Sequence, residues 1–216
     1  MHSSCFNIHC SLCPRFVGYL AEVRRSHPDY HARPVPPFGD PQARLLVVGL
    51  APGLHGANAS GRPFTGDHAG ILLYRTLHKF GFASAPVSQA GDGLQLHDCR
   101  ITNAVKCVPP QNKPTRTEIA TCNRYLTAEL TALPANALVL ALGHIAHEAV
   151  LSALKIKPNL YRFGHAVSHA LTASLILLDS YHCSRYNTQT RRLTPHMFEM
   201  VIARAREILN CMDKPA

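Results

Sequence analysis

The sequence is poor in acidic residues and has no long apolar run. Only 13 Asp+Glu stand against 22 Lys+Arg, so the formal net charge is +9 with the 14 histidines neutral. So large an excess of cations favours a polyanionic partner, and nucleic acid is the commonest one. The longest apolar run, Ala137 to Gly143, is far too short to cross a bilayer, so we expect no membrane partner.

Other absences narrow the class further. The N-terminus has no charged segment followed by an apolar stretch, so secretion is unsupported and we expect a cytoplasmic protein. The composition, 46% hydrophobic and 16% charged, argues against disorder and fibrous repeats. No G-x-x-x-x-G-K-[ST] occurs and no G-x-G-x-x-G follows a strand, so nucleotide cofactors are disfavoured. The length suits a single domain over residues 1–216.

Apolar runs and helical patterns alternate along the chain. The predicted strands are Leu45–Leu50, Ile101–Val105, Leu138–Leu142 and Leu175–Leu178. The predicted helices are one near the N-terminus and Ile71–Leu77, Glu118–Leu133, Ala146–Leu154 and Pro195–Met212. Thr115 or Thr117 is a plausible N-cap of the Glu118 helix. This alternation predicts a doubly wound α/β domain with parallel strands buried on both faces.

Polar and glycine-rich segments follow each predicted strand. They are residues 51–67, Asn103 with residues 106–110, residues 143–147 and residues 179–188. Ligands bind beyond the carboxyl ends of strands in such sheets, so this edge is the candidate site. The loop 49–67 contains five glycines, which permit close backbone approach to an anion or a carbonyl oxygen.

Eight cysteines are many for a chain of this size. In a reducing compartment, clustered thiols more often bind metal or carry out redox chemistry than form disulfides. Cys10 and Cys13 form a C-x-x-C pair, which alone is a weak signal.

Four ordered segments carry a specific resemblance. They are residues 49–58 with 61–67, residues 100–110, residues 142–146 and residues 180–188. Together they resemble the uracil-DNA glycosylase superfamily, in particular its type B, or family 5, enzymes. The resemblance runs from about Cys10 to Arg206. It implies a three-layer α/β/α sandwich around a central four-stranded parallel sheet.

The resemblance implies a monomeric DNA-repair enzyme of the cell interior and nucleoid. It would hydrolyse the N-glycosidic bond of uracil in double-stranded DNA and leave an abasic site. No lysine is placed as a nucleophile, so a monofunctional enzyme is implied. Tolerance for other damaged bases, such as hypoxanthine and ethenocytosine, is also implied, and the apolar pair Leu50 and Ala51 is compatible with a roomier pocket.

The same resemblance assigns roles to individual residues. Asp67 positions water or stabilises the oxocarbenium-like sugar, although an N-cap role before the next helix is nearly as reasonable from sequence alone. His182 donates a hydrogen bond to uracil O2, where negative charge develops. Phe64 stacks on the base and Asn103 reads its O4 and N3–H, with Ala51 and Gly53 completing the base site. The expected DNA contacts are His55, Asn58, Ser184, Arg185 and Asn187.

The resemblance also places a [4Fe–4S] cluster on Cys10, Cys13, Cys107 and Cys122. We expect this cluster to be structural, and zinc on four cysteines is the alternative. Cys5 and Cys99 are expected to be free thiols.

Two residues depart from the family pattern. Cys183 stands where a proline usually follows the histidine, which would loosen the loop that inserts into the DNA groove, and Arg191 stands where glycine is common.

Two other hypotheses stay open at this point. One is a non-catalytic iron–sulfur protein that binds nucleic acid, and the other is a zinc-stabilised RNA-binding domain.

Overall fold

Residues 6–212 are described by the structure, a computed structural model, and Cys5 lies outside them. The strands are β1 (Phe38–Gly39), β2 (Leu45–Gly49), β3 (Cys99–Asn103), β4 (Ala137–Leu142), β5 (Ser168–Thr172) and β6 (Leu175–Ser180). The helices are α1 (Pro14–Ser26), α2 (Ala57–Ser60), α3 (His68–Lys79), α4 (Arg116–Thr131), α5 (His144–Ala153), α6 (Arg185–Gln189) and α7 (Pro195–Met212). Short 3₁₀ turns occupy Pro110–Asn112 and Pro158–Leu160.

One six-stranded sheet has the order β1-β3-β2-β4-β6-β5. Its four central strands are parallel, which confirms the four strands predicted from the apolar runs. The antiparallel edge strands β1 and β5 were not predicted. β1 has only two residues, and the side chains of β5 are exposed or partly buried, so neither leaves the apolar run that marks a buried strand.

Helices cover both faces of the sheet. Along β2, Leu45 and Val47 pack towards α3 and α7, whereas Leu46 and Val48 pack towards α4 and α5. This alternation follows from the twofold repeat of a strand, because successive side chains point to opposite faces. The predicted three-layer α/β/α sandwich is confirmed.

Local sequence signals set the ends of the major helices. Thr115, not Thr117, caps α4: its hydroxyl oxygen accepts from the Glu118 N–H (3.2 Å) and Glu118 accepts from the Thr115 N–H (2.7 Å). The pattern Pro195–Met212 coincides with α7. The short helices α2 and α6 were not predicted. Within residues 6–212, no helix is long and apolar enough to span a membrane.

A small third cluster ties the N-terminal segment to the domain. Phe16 and Leu20 of α1 pack with Val105 and Tyr125, beside cysteines from both segments. Arg15 and Glu118 also form an ion pair at 2.6 Å, which joins α1 to α4. The N-terminal segment is therefore packed onto the sheet layers.

Lys106, just beyond β3, is the charged side chain that is buried most deeply in this region, at 1% exposure. Its Nζ lies 2.6 Å from Oε1 of Glu129 on α4, and it also donates to the Thr102 hydroxyl. Thr102 itself donates to Glu129 at 3.1 Å. A buried ammonium is stable only when it is paired, so Glu129 holds the segment after β3 in place.

Removing Glu129 is therefore expected to destabilise the fold strongly. Glu129→Ala leaves the Lys106 charge buried without a counter-ion and should lower the free energy of unfolding by about 3–5 kcal/mol. The matched control is Glu207→Ala, which breaks the exposed Arg204–Glu207 pair on α7 and should change stability by under about 0.5 kcal/mol. Urea denaturation measures both, and equal losses in the two variants would contradict the assignment.

Candidate active site

A cavity of about 590 Å³ opens at the carboxyl edge of the parallel strands. All the predicted catalytic and base-binding residues line it, and so do three of the predicted DNA contacts. The predicted residues in its wall are Ala51, Gly53, Phe64, Asp67, Asn103, His182, Ser184, Arg185 and Asn187. The shared edge of the sheet explains this convergence, since each segment follows a different parallel strand.

Asp67 stands at the N-cap position of α3, yet its side chain does not cap that helix. The carboxylate instead turns back into the glycine-rich loop, where Oδ2 accepts from the Ala57 N–H at 3.0 Å. A Cβ at Gly53 or Gly56 would collide with this carboxylate, so both positions require glycine. Burial raises the pKa of Asp67 above 3.8, although the N–H groups of Ala57 and Gly53 oppose the change.

Asn103 ends β3 directly beside Gly49 of β2. It is 3% exposed, and its Oδ1 is buried without a hydrogen-bond partner among the described residues. A Cβ at residue 49 would meet this oxygen and would lie 2.6 Å from Cζ of Phe64. A buried polar atom without a hydrogen bond costs free energy, so the Asn103 amide in the cavity wall favours a polar ligand that can hydrogen-bond to it.

Phe64 belongs to both the core and the cavity wall. Its backbone is left-handed, with φ +61°, and its ring stacks towards the His182 imidazole at 6.1 Å between centroids. The buried Tyr74 hydroxyl fixes this turn by donating to the Pro63 carbonyl at 2.7 Å. At Gly70, a Cβ would collide with the Phe64 carbonyl oxygen. Strained backbone of this kind is typical of ligand sites.

His182 lies two residues after β6, with its ring in the cavity wall. Burial lowers its pKa to about 4, so the imidazole is neutral at physiological pH. No hydrogen bond among the described residues uses this ring, which leaves its N–H for a ligand. The backbone is anchored instead, because Asn187 Nδ2 donates to the His182 carbonyl at 2.8 Å.

The predicted DNA contacts divide into two groups. Ser184, Arg185 and Asn187 lie at the cavity, where Ser184 caps α6 by accepting from the Asn187 N–H. His55 is exposed outside the cavity, with its Nδ1 2.9 Å from the Tyr30 hydroxyl. Asn58 requires a correction: its side chain is fully buried and donates to the Leu54 carbonyl at 3.3 Å. It stabilises the loop and presents no surface to DNA.

The cavity wall also contains residues that were not singled out individually from the sequence, among them His144, Phe163, Tyr181 and Arg192. The Tyr181 ring lies 6.2 Å from Phe163, and the Arg192 guanidinium lies 4.7 Å above it. His144 and Tyr181 lie within two residues of the ends of β4 and β6, so their position in the sequence was a usable signal. Phe163 lies in an irregular segment and has no such signal.

The predicted metal ligands also converge. Cys10, Cys13, Cys107 and Cys122 line one smaller cavity between α1, α4 and the segment after β3. Burial and the neighbouring thiols raise the pKa of Cys107, since gathered thiolates repel one another. The Lys106 N–H donates to Cys122 Sγ at 3.2 Å, an interaction that favours a thiolate. Four sulfur donors around one cavity fit an iron–sulfur cluster, whose ligands are cysteine thiolates. They fit a single zinc less well, because no three of these Sγ atoms lie within 4.8 Å of one another among the described residues.

The remaining singled-out residues line neither cavity, although Cys183 lies near Asp67. Cys99 is a free, buried thiol, as expected. Cys183, in the place of the usual proline, is fully buried in the core, and burial raises its pKa to about 12. Arg191, in the place of the common glycine, is exposed and has a left-handed backbone with φ +58°.

Comparison with known proteins agrees with this geometry. The uracil-DNA glycosylase superfamily matches residues 36–206. A Type-5 uracil-DNA glycosylase of Thermus thermophilus is 47% identical, over 92% of this chain and 93% of that protein. Proteins of the same name from Mycobacterium leprae and Pyrobaculum aerophilum are 45% and 40% identical, over 92% and 95% of this chain and 91% of each of those proteins. The chain therefore belongs to the uracil-DNA glycosylase superfamily, a family of N-glycosylase enzymes.

Proposed function

We propose that this protein is a monofunctional DNA-repair glycosylase that removes uracil from double-stranded DNA and leaves an abasic site. The observation that carries the proposal is one cavity that combines a buried carboxylate, a neutral imidazole and an unpaired amide. The net charge of +9 supports binding to the phosphate backbone, which would weaken as the salt concentration rises.

Base recognition would require uracil to leave the duplex and enter the cavity. Asn103 would accept from N3–H through its free Oδ1 and donate to O4 through Nδ2, a pattern that cytosine does not match. The Phe64 ring would stack on the base. Gly49 allows both side chains to approach closely, since a larger residue would collide with each of them.

Bond cleavage would leave the electron pair of the N–C1′ bond on the base, with charge at O2. The neutral His182 would donate a hydrogen bond to this oxygen, where stabilisation matters most in the transition state. Asp67 would orient a water towards C1′, accept its proton as the C–O bond forms, and stabilise the cationic sugar beforehand. Among residues 6–212, no lysine lines the cavity, which agrees with hydrolysis without strand cleavage.

A wider range of bases is part of the proposal. Leu50 and Ala51 line the cavity with apolar side chains, at a place where a polar residue would limit which bases can bind. Hypoxanthine and ethenocytosine, which are larger than uracil, would be accommodated more readily by such a wall.

We also propose that Cys10, Cys13, Cys107 and Cys122 hold a [4Fe–4S] cluster. The cluster would supply four metal–sulfur bonds that join the segment before α1 to β3 and α4, and so would stabilise the fold. Activity on chromosomal DNA would place the protein inside the cell on the nucleoid, and we propose that it acts there as a monomer.

Asp67→Asn should abolish most uracil release, because an amide cannot accept a proton from water. We expect a loss of about 10²- to 10⁴-fold in the single-turnover rate on a uracil-containing duplex. In the wild type the rate should fall as pH drops through the raised pKa of Asp67, above 3.8, as the carboxylate becomes protonated. The control Glu207→Gln makes the same chemical change at an exposed site and should keep full activity. An unchanged rate in Asp67→Asn would refute the assigned role.

His182→Ala should slow the same reaction about 10²- to 10³-fold by removing the donor to O2. The fall in rate at acid pH should be the same in His182→Ala as in the wild type. Asp67 is unchanged in the variant, and His182 is already neutral above about pH 4 in the wild type. Single-turnover rates across the pH range measure both quantities. The exposed His196→Ala on α7 is the control, and a loss in His196→Ala as large as that in His182→Ala would count against the mechanism.

Cys122→Ser should remove the cluster, with loss of bound iron and sulfide and a lower melting temperature. Cys211→Ser alters an exposed thiol away from the four-cysteine cavity and should retain both. Metal and sulfide analysis of the purified proteins decides the matter. Zinc without sulfide in the wild type would replace the cluster by a structural zinc site.

A further inference from the structure

Three polar side chains meet behind the cavity wall, outside the proposed catalytic set. Asp179 of β6 is fully buried and lies three residues before His182. Its Oδ1 is 2.8 Å from Nδ1 of His147, and its Oδ2 is 3.4 Å from Nε2 of His169. The Gly164 N–H points at the same Oδ2, also at 3.4 Å. A carboxylate at this depth must be compensated.

The hydrogen bonds of His147 determine its protonation. Nδ1 faces the Asp179 carboxylate, and Nε2 lies 3.1 Å from the Tyr161 carbonyl oxygen. Neither a carboxylate nor a carbonyl carries a proton to donate, so both ring nitrogens must donate. With Asp179 ionised, this geometry favours an imidazolium at His147, which is 1% exposed, in a buried ion pair with Asp179.

The spacing favours a proton over a metal ion. The donor atoms of His147, His169 and Asp179 lie within 4.8 Å of one another, which raises the question of a shared cation. Two ligands of a tetrahedral zinc, each at about 2.0–2.2 Å, lie about 3.3–3.6 Å apart. The 2.8 Å between His147 and Asp179 is a hydrogen-bond length instead.

Every element packed against His147 contributes to its charge state. On the same helix, the His144 ring lies 6.4 Å from the His147 ring, between centroids, and the charge of Glu148 favours the protonated form of His147. The segment before β6 adds the Tyr161 carbonyl and the His169 ring, at 5.8 Å. Burial lowers the pKa of His147, but its hydrogen bond to Asp179 and the Asp179 charge outweigh burial, so that the pKa is raised above 6.5.

The ion pair connects directly to the cavity. The Phe163 ring packs edge-on against His147 at 5.7 Å and faces Tyr181 at 6.2 Å, and both aromatic rings line the cavity. The pair also joins α5 to the end of β6, from which the chain continues to His182. Loss of the pair would therefore release the Phe163–Tyr181 wall and the His182 segment together.

We propose that His147 and Asp179 are positioning residues that hold His182 and this wall in place for base release. The proposal rests on the glycosylase function proposed above. The ion pair stabilises the site below pH 6.5, and its contribution is lost as pH rises through the pKa of His147 in the folded protein. Uracil release should consequently fall on the alkaline side, opposite to the limb that Asp67 causes.

The test uses the full-length holoprotein in two measurements. Nitrogen-15 NMR of the histidine side chains follows the protonation of His147 directly. Kinetics of uracil release give kcat and KM against pH for the wild type, His147→Gln and Asp179→Asn. The control is His196→Gln, an exposed histidine on α7. Iron content and circular dichroism establish that each variant is folded.

We expect His147 to carry two protons at pH 6 and to titrate above an ordinary histidine. His147→Gln should lower kcat roughly 10- to 100-fold with little change in KM, as expected for misplaced groups, and should lose the alkaline limb. Asp179→Asn should show the same changes in kcat, KM and pH profile. In both variants the rate should still fall at acid pH, because Asp67 is unchanged. These outcomes separate a positioning role from a general loss of stability.

Three results would overturn the proposal: an alkaline limb that persists in His147→Gln, a singly protonated His147 at pH 6, or one zinc per chain that His169→Gln loses. A wild type that releases no uracil at any pH would instead overturn the proposed function. The NMR titration would then still report the state of the ion pair, so the two failures are distinguishable.

Discussion

The Asp67 carboxylate occupies space that exists only because residues 53 and 56 have no side chain. This constraint sets the path of the loop after β2, since the chain must wrap around the carboxylate for Ala57 to donate to it. The same constraint accounts for the pKa of Asp67. Burial raises this pKa and makes the carboxylate a stronger base, although the carboxylate still accepts hydrogen bonds from backbone N–H groups. The position of Phe64, three residues earlier, depends on the same wrapped loop.

The two centres of the molecule share one short segment of chain. Asn103 reads into the cavity, and Cys107 follows four residues later in the cysteine cavity. Between them, the N–H groups of Ala104 and Val105 donate to the carbonyls of Gly49 and Leu50, both at 2.9 Å. Lys106 and Glu129 fix the same segment from the core side. A cluster held by the cysteines, as proposed, would therefore anchor the floor of the proposed base site although the cysteines lie outside it.

The sequence was sufficient where the signal is local. Buried parallel strands leave continuous apolar runs, and the shared carboxyl edge follows from the alternation of strands and helices, so most of the site was predictable. The direction of individual side chains was not predictable from the sequence. Asn58, for example, lies in a recognisable motif, but its side chain is buried in the protein. The His147–Asp179 pair spans 32 residues and has no characteristic spacing, and Phe163 enters from an irregular segment. Such contacts depend on tertiary packing.

Arg191 combines an unfavourable backbone conformation with an exposed positive charge. Its backbone has φ +58°, a conformation that costs an ordinary residue about 1 kcal/mol and costs glycine nothing. The chain keeps a cation there, on the segment between α6 and α7 that follows the cavity. Glycine would raise resistance to heat, whereas arginine adds to the attraction for a polyanion. Heat resistance and the proposed binding of DNA at high salt would therefore favour different residues at this position.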